Sequence, residues 1–276
     1  MPELPEVQTV VNDLNAAGLV GATITNARVF WARTIDTLSP KAFCRQITGQ
    51  TVQQIWRRGK YIVMDFTSGD HLLIHLRMSG RLHWVTSDAA RSPHEHVLLT
   101  FETGRQLRFH DTRKFGRMYL VHEVSVVLGQ LGPEPLAKGF TAKLLADRLQ
   151  GRHRLLKPLL LDQTFIAGLG NIYADEALWA ARLHPLRLSS SLSFEEVTRL
   201  HRAIRSVLRR GIKNLGTTLG AGSTNFYSLG RAEGRNREQL KVFRRTDQPC
   251  PRCQTPIERI IVGQRSTHIC TTCQPL

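Results

Sequence analysis

Residues 250–273 read Cys-Pro-Arg-Cys-Gln-Thr-Pro-Ile-Glu-Arg-Ile-Ile-Val-Gly-Gln-Arg-Ser-Thr-His-Ile-Cys-Thr-Thr-Cys, and this stretch decides how the end of the chain folds. Cys250, Cys253, Cys270 and Cys273 make two C-x-x-C knuckles at a spacing that can close four thiolates tetrahedrally on one zinc ion. With all four positions filled by protein, such a site is structural and has no open position for catalysis. Four cysteines without metal would need a core of their own, and so short a segment has few apolar residues to build one. Between the knuckles, Ile257, Ile260, Ile261 and Val262 precede Gly263-Gln264-Arg265, which predicts a β-hairpin with Gln264 and Arg265 at its tip. An arginine on a metal-braced hairpin is well placed to grip a phosphate. The fifth cysteine, Cys44, stands alone and reads as a small, buried or half-buried side chain.

Upstream of the knuckles, residues 216–238 are rich in Gly, Ser, Thr, Asn and Arg without a sustained period, so a long mobile loop is expected there. Ahead of it, Ser193 and Glu196 form an S-x-x-E capping box before Val197, Leu200, Ile204, Val207 and Leu208, a helix ending near Gly211 or Gly216. Its polar face carries Arg199, Arg202, Arg205, Arg209 and Arg210. A charge run of this kind is a solvated face or a polyanion contact. Thr141 can cap a second helix through Leu144, Leu145 and Leu149, and Leu131-Gly132-Pro133-Glu134-Pro135 breaks the pattern as a domain boundary does. From about residue 22 to 121, short β-branched and aromatic runs are punctuated by Ser68-Gly69-Asp70 and Thr103-Gly104, which predicts an antiparallel sandwich or barrel. Val7, Val10, Val11 and Leu14 then place an amphipathic helix at the start of the chain, stopped by Gly18.

The chain has 38 Lys and Arg against 22 Asp and Glu, a formal net charge of +16 that is concentrated towards the C-terminal third. Such a field favours a polyanionic partner, nucleic acid before an acidic membrane. A composition of 41% hydrophobic and 22% charged residues excludes a disordered or collagen-like chain. No apolar run approaches the roughly 20 residues that cross a bilayer. Met1-Pro2-Glu3-Leu4-Pro5-Glu6 lacks the features of a secretory signal, so a cytosolic compartment is expected. Removal of Met1 would leave Pro2 with a free secondary amine beside Glu3 and Glu6. An α-amino group has a reference pKa of about 7.7 to 8.0, so part of it is an unprotonated nucleophile at neutral pH. Many ordinary proteins also begin Met-Pro, and this feature alone decides nothing.

Six stretches together do decide. The opening Met-Pro-Glu-Leu-Pro-Glu, His75-Leu76-Arg77-Met78-Ser79-Gly80, Asp111-Thr112-Arg113-Lys114-Phe115-Gly116, Gly132-Pro133-Glu134-Pro135, Gly170-Asn171-Ile172-Tyr173-Ala174-Asp175-Glu176 and the four-cysteine finger resemble, in order and end to end, the bacterial formamidopyrimidine-DNA glycosylase family. Leu4 points to this branch, since the related endonuclease VIII branch typically has glycine there. The resemblance implies an α+β fold: an N-terminal antiparallel β-sandwich with a flanking helix, a helix-two-turns-helix domain and a β-hairpin zinc finger. Residues 1–131 would form the catalytic domain, 132–140 a linker, 141–238 the DNA-binding domain with a lesion-capping loop over 216–238, and 239–276 the finger. It also implies a monomeric bifunctional glycosylase and abasic-site lyase of base-excision repair, acting on oxidised purines in duplex DNA in the bacterial cytoplasm, at the nucleoid.

Carried over residue by residue, the resemblance makes Pro2 the nucleophile at C1′ and Glu3 the acid/base carboxylate. Lys60 becomes a phosphate-binding lysine that assists the lyase steps, and Arg265 the finger arginine that holds phosphate for the last elimination. His94, Arg113, Arg152 and Asn171 match DNA-contacting positions, and Met78, Arg113 and Phe115 the side chains that fill the stack once a nucleotide is flipped out. Outside that family frame, Met78 and Phe115 would read as core residues. The chain departs from the family at Gly230-Arg231-Ala232-Glu233-Gly234-Arg235-Asn236-Arg237, where an aromatic is usual, and at Thr112 and Lys114. Two other classes remain, an endonuclease VIII-like enzyme for oxidised pyrimidines and a non-enzymatic zinc-finger or zinc-ribbon protein. The latter would have no use for the Pro2-Glu3 terminus.

Overall fold

A computed structural model describes residues 1–220, 222, 225–229 and 232–276, and separates them into two compact units. The first comprises Met1–Gln130 with Asn214–Arg237; the second comprises Leu131–Lys213 with Glu238–Leu276.

In the first unit, helix α1 (Leu4–Ala16) is followed by β1 (Ile24–Val29), α2 (Pro40–Ile47), β2 (Val52–Arg58), β3 (Tyr61–Phe66), β4 (His71–His75), β5 (Arg81–Thr86), β6 (Glu95–Phe101), β7 (Arg105–His110), β8 (Arg117–Val121) and a single turn, α3 (Ser125–Leu128). The strands form two four-stranded antiparallel sheets, ordered β1-β6-β7-β5 and β2-β3-β4-β8. Alternation along each strand turns one face inward. Ile24, Val97, Leu99, Leu107 and Phe109 of the first sheet share one core with Ile55, Ile62, Met64, Ile74 and Leu120 of the second. The four apolar positions that predict α1 are all buried in that core. Helix α2 escapes the periodicity because it is short, but Ser39 caps it by accepting from Ala42 N (3.3 Å) and Pro40 opens it.

The described residues of 216–237, most of the stretch expected as a mobile loop, belong to this first unit. Thr217 N donates to Glu6 Oε1 (2.8 Å), Thr218 Oγ1 to Phe226 O (2.7 Å) and Leu229 N to Asp13 Oδ2 (3.4 Å), while Phe226 and Leu229 enter the core. The sequence reading attaches these residues to the helical segment because they follow its last helix directly. The partners of Thr217 and Leu229 lie 211 and 216 positions away, and no local pattern announces such contacts. Gly230 and Arg231, the start of the atypical stretch, lie outside the described residues.

The second unit holds α4 (Ala142–Gln150), α5 (Leu156–Leu161), α6 (Asn171–Ala181), α7 (Phe194–Lys213) and the hairpin β9 (Glu258–Val262) and β10 (Arg265–Ile269). Thr141 Oγ1 accepts from Leu144 N (3.1 Å), and the Ser193/Glu196 box is formed in both directions (2.9 and 3.2 Å). Helix α7 packs on α6 so closely that a Cβ on Gly211 would meet the Tyr173 ring. Its arginine face is largely engaged within the fold. Arg205 donates to Pro135 O and Ala137 O, Arg210 lies 3.7 Å from the buried Glu176 carboxylate, and Arg199 pairs with Glu195. Arg202 and Arg209 are exposed. No helix among the described residues is long and apolar enough to cross a membrane.

Candidate active site and nucleic-acid interface

The start of α1 fixes the first candidate group. Glu3 is the helix N-cap, and it shares a reciprocal capping box with Glu6: the Glu3 side chain accepts from the Glu6 backbone, and Glu6 Oε2 accepts from Glu3 N (2.8 Å). Pro2 is buried, and Glu3 and Glu6 are 2% and 1% exposed. Two carboxylates at a helix N-terminus are favoured by the backbone amides and dipole there. Glu6 does double duty, because its other oxygen receives Thr217 N and Gly216 (φ +79) lies against it. The sequence marks Glu6 as a neighbouring carboxylate, but nothing in it signals this bridge.

Lys60 occupies the two-residue turn Gly59-Lys60 between β2 and β3, and is 5% exposed. Gly59 adopts φ +55, as a tight hairpin turn requires, and Arg57 braces the turn by donating to Gly59 O (2.8 Å) and to Gln8 Oε1 on α1 (3.0 Å). Nearby His75 is buried, and burial with the adjacent Arg77 and Lys60 charges pushes its pKa down to about 3. It is neutral at physiological pH, with Nδ1 accepting from Arg77 N (3.0 Å).

Met78, Arg113 and Phe115 come from two loops that one buried aspartate holds together. Asp111 is fully buried; its Oδ1 accepts from Ser79 Oγ (2.5 Å) and Arg113 N (3.1 Å), and its Oδ2 from Gly116 N (2.7 Å). A side chain at Gly116 would run into the Phe109 ring, so only glycine lets the loop turn back over Asp111. Met78 and Phe115 are 40% and 47% exposed, which removes the core-packing reading of both. The Arg113 guanidinium lies 4.9 Å from the centre of the Phe115 ring. His94 is exposed and stacks edge-on with His110, whose pKa is lowered to about 4 by burial and by His83, Arg81 and His94.

In the second unit, Asn171 opens α6 and donates through Nδ2 to Ser266 O (2.9 Å) on the hairpin. Gly263 (φ +54) and Gln264 (φ +60) make the two-residue turn, and the exposed Arg265 begins β10 beside it. Beneath this hairpin lies a buried ion pair: Lys157 Nζ is 2.5 Å from Asp175 Oδ1 and donates to Thr267 Oγ1 (2.7 Å) and Ser266 O (3.0 Å). Asp175 Oδ2 accepts from His268 N (2.9 Å). The sequence reading misses Lys157, although a lysine inside Leu155-Leu156-Lys157-Pro158-Leu159-Leu160 is a sign of buried pairing. Arg152 is half-buried, with its guanidinium 5.5 Å from the Phe165 ring centre.

The four finger cysteines form no disulfide, and their Sγ atoms all lie within 4.8 Å of one another. Tetrahedral zinc with Zn–S bonds of about 2.3 Å sets sulfurs about 3.8 Å apart. The separations of 3.9, 3.3 and 3.5 Å for Cys250–Cys273, Cys253–Cys270 and Cys253–Cys273 fit that geometry. The set is a site for one structural zinc ion. Arg252 locks it to α6 by donating to Trp179 O (2.7 Å) and stacking on the Trp179 ring (3.8 Å).

Three family models match the chain: the N-terminal domain of formamidopyrimidine-DNA glycosylase over residues 1–118, its H2TH domain over 131–223, and a zinc finger found in FPG and IleRS over 247–276. The chain is 50% identical to a formamidopyrimidine-DNA glycosylase of Protochlamydia amoebophila, over 99% of both chains. Its structure is similar to that of a Lactococcus lactis FPG mutant in complex with DNA containing Fapy-dG, with TM-score 0.92, 35% identity and full coverage of both chains. A complex of Lactococcus lactis Fpg with DNA containing an abasic site is similar at TM-score 0.91 and 35% identity, covering 99% of this chain and 100% of that one.

Proposed function

Since the chain belongs to the formamidopyrimidine-DNA glycosylase family, we propose that it removes oxidised purines from duplex DNA through an N-terminal proline and then cleaves the strand at the abasic site. The observation that carries this reading is the Pro2-Glu3 terminus, buried and fixed by the Glu3/Glu6 box and by Thr217. A mere binding protein would have no use for a secondary amine held beside a carboxylate.

Once Met1 is removed, the Pro2 nitrogen donates its lone pair to C1′, and the bond from C1′ to the damaged base breaks with its electrons leaving on the base. The proton that the Pro2 nitrogen sheds on bonding passes through Glu3 to the ring oxygen as the C1′–O4′ bond opens, and the nitrogen lone pair so freed forms a cationic iminium between Pro2 and the sugar. A secondary amine can form no neutral imine, so the iminium acidifies the C2′ hydrogen. Loss of that proton expels the 3′ phosphate, and a second elimination expels the 5′ phosphate. Lys60 and Arg265 hold the flanking phosphates, and each donates hydrogen bonds to the charge that develops on a leaving phosphate. Met78, Arg113 and Phe115 fill the space left by the flipped nucleotide, with Arg113 facing the orphaned base. Flipping costs a few kcal/mol, and stacking contacts recover part of it. His94, Arg152 and Asn171 bind the backbone, and zinc holds the finger so that Arg265 keeps its place. The enzyme works as a monomer in the cytoplasm, at the nucleoid.

Borohydride reduction in the presence of a duplex containing 8-oxoguanine tests this reading. The Met-free chain becomes covalently joined to DNA, and Pro2→Gly binds the duplex but loses most base excision. Absence of any adduct with a correctly processed N-terminus would refute the assignment.

A further inference from the structure

The stretch after Gly216 begins at the catalytic end of the chain, since Gly216 lies against Glu6 and Thr217 N binds it. Its far side is held by a residue no part of the proposed chemistry uses. Arg81, the first residue of β5, directly follows Met78-Ser79-Gly80. Its Nη2 donates to Asn225 O (2.8 Å) and to Gly222 O (3.3 Å), and its guanidinium lies 4.6 Å from the centre of the Tyr227 ring. Beside these contacts is an open cavity of about 320 Å³, whose lining includes Arg81, His83, Glu95, His110, Gly222 and Tyr227. A single guanidinium thus grips two carbonyls and one ring of the same segment, a combination that lysine could reproduce only in part.

We propose that Arg81 is a positioning residue for base excision: it latches Gly222, Asn225 and Tyr227 to the strand that follows the Met78 tip, and so fixes the part of the chain that would cover the displaced base. This rests on the activity proposed above. Once the base has gone there is nothing for the latched segment to hold, so the latch acts on excision and not on strand cleavage at a pre-formed abasic site.

The test compares two substrates with one enzyme, a duplex containing 8-oxoguanine and the same duplex carrying an abasic site. In Arg81→Ala, kcat/KM for excision falls by about tenfold, as expected for two lost charge-assisted hydrogen bonds, while abasic-strand cleavage and the melting temperature hold. Arg81→Lys restores part of the loss. Tyr227→Leu lowers excision by about threefold through the lost cation–π contact, and Tyr227→Phe leaves it intact. Equal losses on both substrates, or unchanged excision in Arg81→Ala, overturn the latch while leaving the assigned activity standing. A wild-type enzyme that excises no lesion and forms no borohydride adduct overturns that activity and the latch with it.

Discussion

Two buried aspartates, one in each unit, solve the same problem by different physics. Asp111 is held by a hydroxyl and two backbone amides, all uncharged donors within its own pair of loops. Asp175 is held by a fully buried lysine and by the backbone of a hairpin 93 positions away. Neutral donors spread the carboxylate charge over local backbone and fix loop shape with little long-range commitment. The ion pair instead makes α5, α6 and the hairpin interdependent, because neither charge can be left alone in a dry interior. The difference teaches that the first unit shapes its exposed Met78, Arg113 and Phe115 by local hydrogen bonding. The second shapes Asn171 and Arg265 by long-range electrostatics together with a metal.

The largest test of that contrast removes the metal. Cys250→Ser should release zinc, whose binding in comparable fingers contributes about 10–16 kcal/mol, and duplex affinity should drop as Arg265 loses its support. Metal analysis and a binding titration check this, and tight duplex binding by the zinc-free protein would separate the finger from the interface. Lys157→Met comes next: an orphaned Asp175 should cost about 3–5 kcal/mol in urea unfolding, with most of it recovered in the double variant Lys157→Met, Asp175→Leu. Failure of the second change to rescue the first would mean the pair is not the tie between helices and hairpin. Asp111→Asn turns an acceptor into a donor facing Gly116 N or Arg113 N. It should cost about 1–3 kcal/mol and weaken excision more than binding to undamaged duplex.

A further prediction concerns protons, and its effect is spread over several pH units. His75 has a folded pKa of about 3 against 6.5 for an ordinary histidine, so the unfolded chain binds the proton first as acid is added. Stability from its neutral burial is full above pH 6.5 and is lost as pH falls towards 3, at up to about 1.4 kcal/mol per pH unit. Urea midpoints across that range should decline less steeply in His75→Asn, and identical slopes would remove His75 from the account.

Legibility followed sequence distance. The helix α1, the Thr141 cap, the Ser193/Glu196 box and the cysteine knuckles all involve residues a few positions apart, or a spacing with one chemical use. The exposure of Met78 and Phe115 was not legible from hydrophobicity, because an apolar side chain at a loop tip looks the same as one in a core until Asp111 and Gly116 are seen to turn the chain. The arginines of α7 misled in the opposite direction. Arg205 and Arg210 find partners at Pro135, Ala137 and Glu176, which no periodicity can bring together. The Glu6–Thr217 and Arg81–Asn225 contacts are of the same kind, spanning 211 and 144 positions.

The first of those spans also has a meaning in time. A ribosome adding about 5–20 residues per second delivers Thr217 some 10–40 s after Glu6. During that interval α1 can form, but the carboxylate beside Glu3 lacks its second amide. Residues 3–6 are therefore made long before the last of their partners arrives. A nascent chain stalled short of residue 217 would keep the Glu3/Glu6 box but lack the Thr217 contact, so removal of Met1 would find Pro2 less enclosed at that stage than in the whole protein.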